Sequence, residues 1–118
     1  AVIEKAVRMA SKAVALQPGE FRYLDTYGFA LFLQGDYLQA EIYLRQAIER
    51  AEAALKEDPS SISISSLADY YYHYAKVQEE VGNLQTSLLY LQKVKQLVST
   101  DEIDLAIEEI KRRMESSK

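Results

Sequence analysis

The chain has no cysteine. That single absence removes a disulfide framework, a thiolate zinc site and a thiol nucleophile, while saying little about compartment. Histidine is almost as scarce. His73 is the one imidazole in the sequence, which leaves no HExxH metal pair and no serine with a histidine base to activate it. The four glycines, Gly19, Gly28, Gly35 and Gly82, are isolated, so the GxGxxG and GxxxxGK loops that cradle phosphates are missing. Adjacent carboxylates do occur, at Glu79-Glu80 and Glu108-Glu109, but neighbours in a helix point to different sides and read as solvated surface. No catalytic residue, cofactor or metal is expected, and the chain does not read as an enzyme.

Long apolar runs are missing too. The longest nearly continuous one, Tyr27 to Leu33, is far below the roughly 18 residues of a membrane span, so membrane insertion is not expected. No basic segment followed by a hydrophobic one opens the chain. A start at Ala1-Val2-Ile3 without methionine points to a piece of a longer protein, and the cytoplasm and the periplasm are both allowed. Strong charge of one sign is the last absence: 14 basic against 18 acidic residues give −4. Residues 1–59 and 60–118 each carry 7 basic and 9 acidic side chains, so there is neither an acidic tail nor a basic arm. With a sequence pI near 5.0, a nucleic-acid partner is not expected, because that affinity rests on Lys and Arg neutralising phosphates. The one basic cluster, Lys111-Arg112-Arg113, is flanked by Glu108, Glu109 and Glu115 and reads as the dipole-favoured end of a last helix.

What the sequence has is periodicity. Its 118 residues, 48% hydrophobic and 27% charged, suit a folded domain that buries very roughly two-thirds of its unfolded surface. Between Pro18, Pro59 and the glycines, apolar residues recur every three or four positions, which is helix spacing. Six stripes follow one another: Ile3 to Val14, Leu24 to Leu31, Tyr37 to Leu55, Leu67 to Val81, Leu84 to Val98 and Ile103 to Met114. The second stripe stops at Gly35-Asp36 and the fourth at Gly82-Asn83, where a left-handed glycine closes a helix at no Cβ cost. Ser99 and Glu102 have capping-box spacing before the sixth. Six helices joined by short turns predict an all-α antiparallel array. Only Ser60 to Ser66, SSISISS, alternates like a strand; with nothing to pair with, it reads as a loop or as the first turn of the fourth helix.

The stretch LDTYGFALFLQGDYLQAEIYLRQAI, residues 24–48, resembles the tetratricopeptide repeat, a helix-turn-helix unit of 34 residues. Leu24, Tyr27, Gly28 and Leu31 fall on the pattern of its helix A, and Ala40, Leu44 and Ala47 on that of its helix B; Gly35-Asp36-Tyr37 repeats its turn. Small residues are needed where the two helices cross closely. Glu52 stands where the family has proline. Upstream, Ala6, Ala13 and Pro18 match the helix B of a preceding repeat; downstream, Tyr71, Tyr74, Ala75, Ser87, Leu91 and Val94 match a second full repeat from which Gln78 and Ser99 depart. The two turn glycines are 47 residues apart (82 − 35), 13 more than the family's 34. Pro59 lies 7 residues beyond the position of the missing proline, so helix three is expected to run two turns long, with Ile64 and Ile62 covering Leu55. The resemblance implies a right-handed α-solenoid of six helices that forms the C-terminal segment of a longer repeat protein. Its parts are a helix B at 1–20, a lengthened repeat at 21–67, a degenerate repeat at 68–101 and a capping helix at 102–118.

The family binds peptides or protein segments on a concave face lined by its A helices. By the resemblance, that face would present Arg22, Asp25, Thr26, Phe29, Phe32 and Leu33 from the first full repeat. From the second it would present Asp69, Tyr72, His73, Lys76, Glu79 and Glu80. Of these, Arg22, Asp25, Phe29, Phe32, Tyr72, His73 and Lys76 are the expected partner-binding residues. Phe29 and Phe32 either anchor a partner or pack against a neighbouring helix; Tyr71 and Tyr74 belong to the core. Some relatives clamp the C-terminal carboxylate of chaperones with Lys, Asn and Arg. Here the corresponding positions hold Asp25 or Tyr72 and Phe29 or Lys76, and chaperone-tail binding is not expected. The alternative is a homodimer through the first helix, whose unpaired face would carry Val2, Met9 and Leu16.

Overall fold

The structure, a computed structural model, describes residues 2–117. Among them are six helices and no strand: α1 (Val2–Leu16), α2 (Phe21–Leu33), α3 (Tyr37–Glu57), α4 (Ile64–Glu80), α5 (Leu84–Leu97) and α6 (Asp101–Ser116). The chain divides after Ile62 into two compact units. In the first, α2 packs against α1 and against α3; in the second, α5 packs against α4 and against α6.

The punctuation acts as local chemistry requires. Pro18 disfavours a helical conformation at Gln17, and α1 ends one residue earlier. Gly35 has φ +91° and Gly82 φ +87°. The Gly35 amide donates to the Phe32 carbonyl at 3.0 Å and the Asp36 amide to that of Leu31 at 2.9 Å. At the second turn, Gly82 donates to Glu79 at 3.1 Å and Asn83 to Gln78 at 2.8 Å. These are two copies of one helix stop, in which a left-handed glycine lets the last carbonyls find donors. Asp36 then caps α3, its carboxylate accepting from the Gln39 amide at 3.3 Å. Asn83 uses its side chain otherwise, donating to the buried Gln78 amide oxygen at 2.8 Å. That bond explains how Gln78 stands inside helix packing where the repeat pattern has an apolar residue.

Helix three runs long, as its stripe and Pro59 lead one to expect, and the sequence reading needs three adjustments beyond it. With no proline at Glu52, α3 continues to Glu57 and gives 21 residues, about 31 Å of helix. Asp58 ends it in an extended conformation before Pro59, and its carboxylate accepts from the Ser60 amide at 3.0 Å and hydroxyl at 2.8 Å. SSISISS is partly loop and partly helix: Ser63 caps α4, accepting from the Ser66 amide at 3.0 Å, so helix begins at Ile64. That register buries Ile62, 7% exposed, and turns Ile64 outward at 61%, contrary to the expectation that both cover Leu55. The cap of α6 is Thr100, which accepts from the Ile103 amide at 3.2 Å, one residue later than the Ser99 box implied.

Each hairpin core repeats the other at an offset of 47 residues. Leu24, Leu44 and Ala47 are buried in the first, and Tyr71, Leu91 and Val94 in the second. Tyr27 meets Tyr43 edge-on with ring centroids 4.7 Å apart and 63° between planes; Tyr74 meets Tyr90 at 4.7 Å and 66°. Tyr43 and Tyr90 lie outside the stripes read from sequence, yet such pairs add about 0.5–1.5 kcal/mol beyond area burial. The helix crossing is solved differently in the two hairpins. A Cβ added to Gly28 would stand 2.7 Å from Leu44 Cγ and 3.0 Å from the Leu44 backbone nitrogen, so α2 and α3 approach as only glycine permits. In the second hairpin the same place is Ala75, and the fully buried Ser87 hydroxyl donates to the Ala75 carbonyl at 2.9 Å.

Candidate functional site

On α2, residues 22, 25, 26, 29, 32 and 33 recur at helical spacing and share one face. Arg22 is exposed. Its guanidinium is nonetheless held: it lies 4.6 Å from the Phe21 ring centroid, donates to Glu20 Oε1 at 2.9 Å, and reaches the Ser61 carbonyl at 3.0 Å. Asp25 is only 6% exposed and offers a partner little surface. Phe29 and Phe32 are half-buried and stacked, with centroids 5.7 Å apart and 18° between planes. Phe32 also meets Tyr37 at the start of α3, at 5.5 Å. Leu33, 53% exposed, extends this apolar patch to the end of the helix.

The corresponding face of α4 is more polar. Tyr72, His73 and Lys76 are half-buried. Lys76 Nζ lies 6.0 Å from the Tyr72 ring centroid and 3.5 Å from Glu79 Oε1. Glu79 is engaged further, accepting from Arg113 of α6 at 2.7 Å, so it ties helices together rather than facing a partner freely. Tyr72 and Asp69 border a surface pocket of about 230 Å³. Val94 of α5, Val98 just beyond its end, Ile103 of α6 and Ala68 of α4 form its apolar lining, with Glu102 also on it. Nearby, Lys95 Nζ sits 2.8 Å from Asp104 Oδ1, and this bond holds the lysine pKa above its ordinary value.

The sequence pattern puts Tyr72 and Asp69 on this face but Val94, Val98 and Ile103 in the core stripes. Two of the three are core: Val94 is 2% and Ile103 7% exposed. The pocket arises where α5 has ended and α6 has not begun, a three-residue bend at 98–100 whose geometry leaves no periodic signal. Chemically, the α2 face offers mainly aromatic and aliphatic surface, and the α4 face an aromatic side chain among charged ones. Among the described residues no group of three or more His, Asp or Glu could hold a metal ion. None of the described helices is long and apolar enough to cross a membrane.

No protein-family model matches the sequence, and no curated protein matches it. The fold does match solved structures. The TPR2AB domain of yeast Sti1, in a complex described as containing pHSP90, superposes with a TM-score of 0.79 at 17% identity over 98% of this chain and 42% of that one. The N-terminal domain of stress-induced protein-1 (STI-1) from C. elegans gives a TM-score of 0.73 at 13% identity over 92% of this chain and 80% of that one. The chain therefore spans less than half of the yeast structure's length, and what the two matches share with it is the fold: tetratricopeptide-like helical hairpins.

Proposed function

We propose that this chain is a non-catalytic protein-interaction scaffold that binds a peptide or protein segment on the faces presented by its repeat A helices, the side that forms the concave surface in this fold class. The observation that carries the reading is the stacked Phe29–Phe32 pair, half-buried on α2 and continued by exposed Leu33. Rigid aromatic surface at the edge of burial is the material of binding hot spots, because it gains contact area at low entropic cost. That a domain of this fold is described with pHSP90 supports a protein or peptide partner. It does not extend to that partner's tail, since the clamp positions here hold Asp25, Phe29, Tyr72 and Lys76.

The test is selection of displayed random peptides against the intact chain, followed by calorimetric titration of those recovered. Phe29→Ala or Tyr72→Ala should weaken binding of a recovered peptide about thirtyfold or more, the loss that marks a hot-spot aromatic, with far-UV circular dichroism unchanged. Peptides that bind both variants as they bind the parent would end the proposal. A second reading has its own observation. Val2, Met9 and Leu16 recur every seven residues along one side of α1 and are 85%, 62% and 83% exposed, the spacing of a helix-pairing seam. On that reading the chain dimerises through α1 and Met9→Lys dissociates it; sedimentation of the parent as a monomer at tens of micromolar excludes it.

A further inference from the structure

We infer that the pocket beside Tyr72 receives one aliphatic side chain of a partner segment that carries lysine or arginine next to it. The inference rests on the interaction-scaffold reading and specifies the chemistry of the partner. At about 230 Å³ the pocket falls below the ~300–1,000 Å³ of small-molecule clefts and suits a single side chain. Its depth is apolar and rigid, since Val94 and Ile103 are core residues. Tyr72 and Val98, half-buried, form the accessible walls.

The charge at its mouth is of one sign. Asp69 of α4 and Glu102 of α6 both line the pocket and are exposed, and neither carboxylate has an ion-pair partner among the described residues. The cations close by in sequence are already committed: Lys76 to Glu79 at 3.5 Å and Lys95 to Asp104 at 2.8 Å. Glu102 favours the positive end of the α6 dipole from its first turn. Asp69 has no such role, because it lies in the second turn of α4. Two unpartnered carboxylates from different helices flanking an apolar opening complement a cation on each side of an inserted apolar side chain.

The test uses fluorescence anisotropy of the full chain with three labelled, end-blocked hexapeptides. The first has a central leucine flanked by lysines, the second serine in place of leucine, and the third glutamates in place of lysines. The first should bind at least tenfold more tightly than the second, from burial of one leucine side chain, and more tightly than the third, with an affinity that falls as salt is raised. The double variant Asp69→Lys/Glu102→Gln should lose about tenfold for the lysine peptide and gain for the glutamate peptide. Val98→Ser, at the accessible wall, should weaken the leucine peptides severalfold and keep the charge preference. Equal binding of lysine and glutamate peptides, a preference untouched by the double variant, or no binding of the leucine–lysine peptide each overturns the inference. If displayed peptides sensitive to Phe29→Ala and Tyr72→Ala are still recovered in that event, the scaffold reading stands and only this partner chemistry falls.

Discussion

Replacing Gly28 by alanine gives opposite results depending on whether the helix crossing is as close as described. In an ordinary helix interior the change stabilises by about 1 kcal/mol, because alanine loses less backbone entropy. Here the new Cβ would stand 2.7 Å from Leu44 Cγ, 2.8 Å from Leu44 Cδ2 and 3.0 Å from the Leu44 nitrogen, against the ~3.5–4.0 Å at which carbon pairs are most favourable. Leu44 is 0% exposed, so its side chain has no free volume to enter, and the backbone nitrogen yields only if α3 moves. Overpacking costs about 1–3 kcal/mol, and where backbone must shift, as here, the upper part of that range, about 2–3 kcal/mol, applies. Set against the propensity gain, Gly28→Ala should destabilise by about 1–2 kcal/mol, a drop of several degrees in melting temperature for a domain of this size. Urea unfolding followed by circular dichroism measures it. The double variant supplies the control: Leu44→Ala alone costs about 2–5 kcal/mol, but in that background the contacts to Cγ and Cδ2 are gone and only the 3.0 Å contact to the nitrogen remains, so Gly28→Ala should cost clearly less than it does in the parent. A Gly28→Ala protein as stable as the parent, or more so, refutes the close crossing.

Ile62→Ala should cost about 2–4 kcal/mol in the same unfolding assay, whereas Ile64→Ala, at an exposed position, should change stability by less than about 0.5 kcal/mol. Ser87→Ala should cost about 1 kcal/mol through loss of its buried bond to the Ala75 carbonyl. Hydrogen bonds from the Ser60 amide and hydroxyl lower the Asp58 pKa below 3.8, so its contribution is present above that pH and is lost as the pH falls through the lowered value. The stability gap between the parent and Asp58→Ala should therefore close in acid and remain constant from pH 5 to 8. Glu79→Gln, which breaks the tie from α4 to Arg113, should weaken protection of α6 amides in hydrogen exchange at low salt and less so at high salt.

The helices were legible because their signals are local. Pro18, Gly35, Pro59 and Gly82 each end an element by restricting or freeing their own backbone, and the stripes between them are long enough to be periodic. Gly28 was legible for a different reason, since the repeat pattern carries the tertiary fact that two helices touch there. What escaped the sequence depends on register within short irregular segments. Whether Ile62 or Ile64 turns inward is decided by which serine caps α4, and SSISISS offers several. Ser99 is by type the better cap, yet it is Thr100 that accepts from the Ile103 amide, a choice of register that residue type does not reveal. The α4 face was readable as a list of residues, but the pocket was not. It needs the ends of α5 and α6 to meet Tyr72, and those ends carry no periodicity. Asp25 shows the limit from the other side: a helical position that faces partners in the repeat pattern is, in this chain, almost fully buried.

The crossings in the two hairpins bear on how this sequence can change. Gly28 lies against Leu44, and 47 residues on Ala75 lies beside Ser87 and Leu91. Where one crossing has removed a methyl group to admit its neighbour, the other has kept the methyl and gained a hydroxyl that bonds the carbonyl beneath it. Neither residue of such a pair has a fixed value by itself. An alanine that fits at 75 is expected to be costly at 28, and a mutation accepted in one hairpin gives no guide to its counterpart. Drift at these positions must pass through coordinated replacements, so two halves built on one plan have little freedom to exchange their sequences.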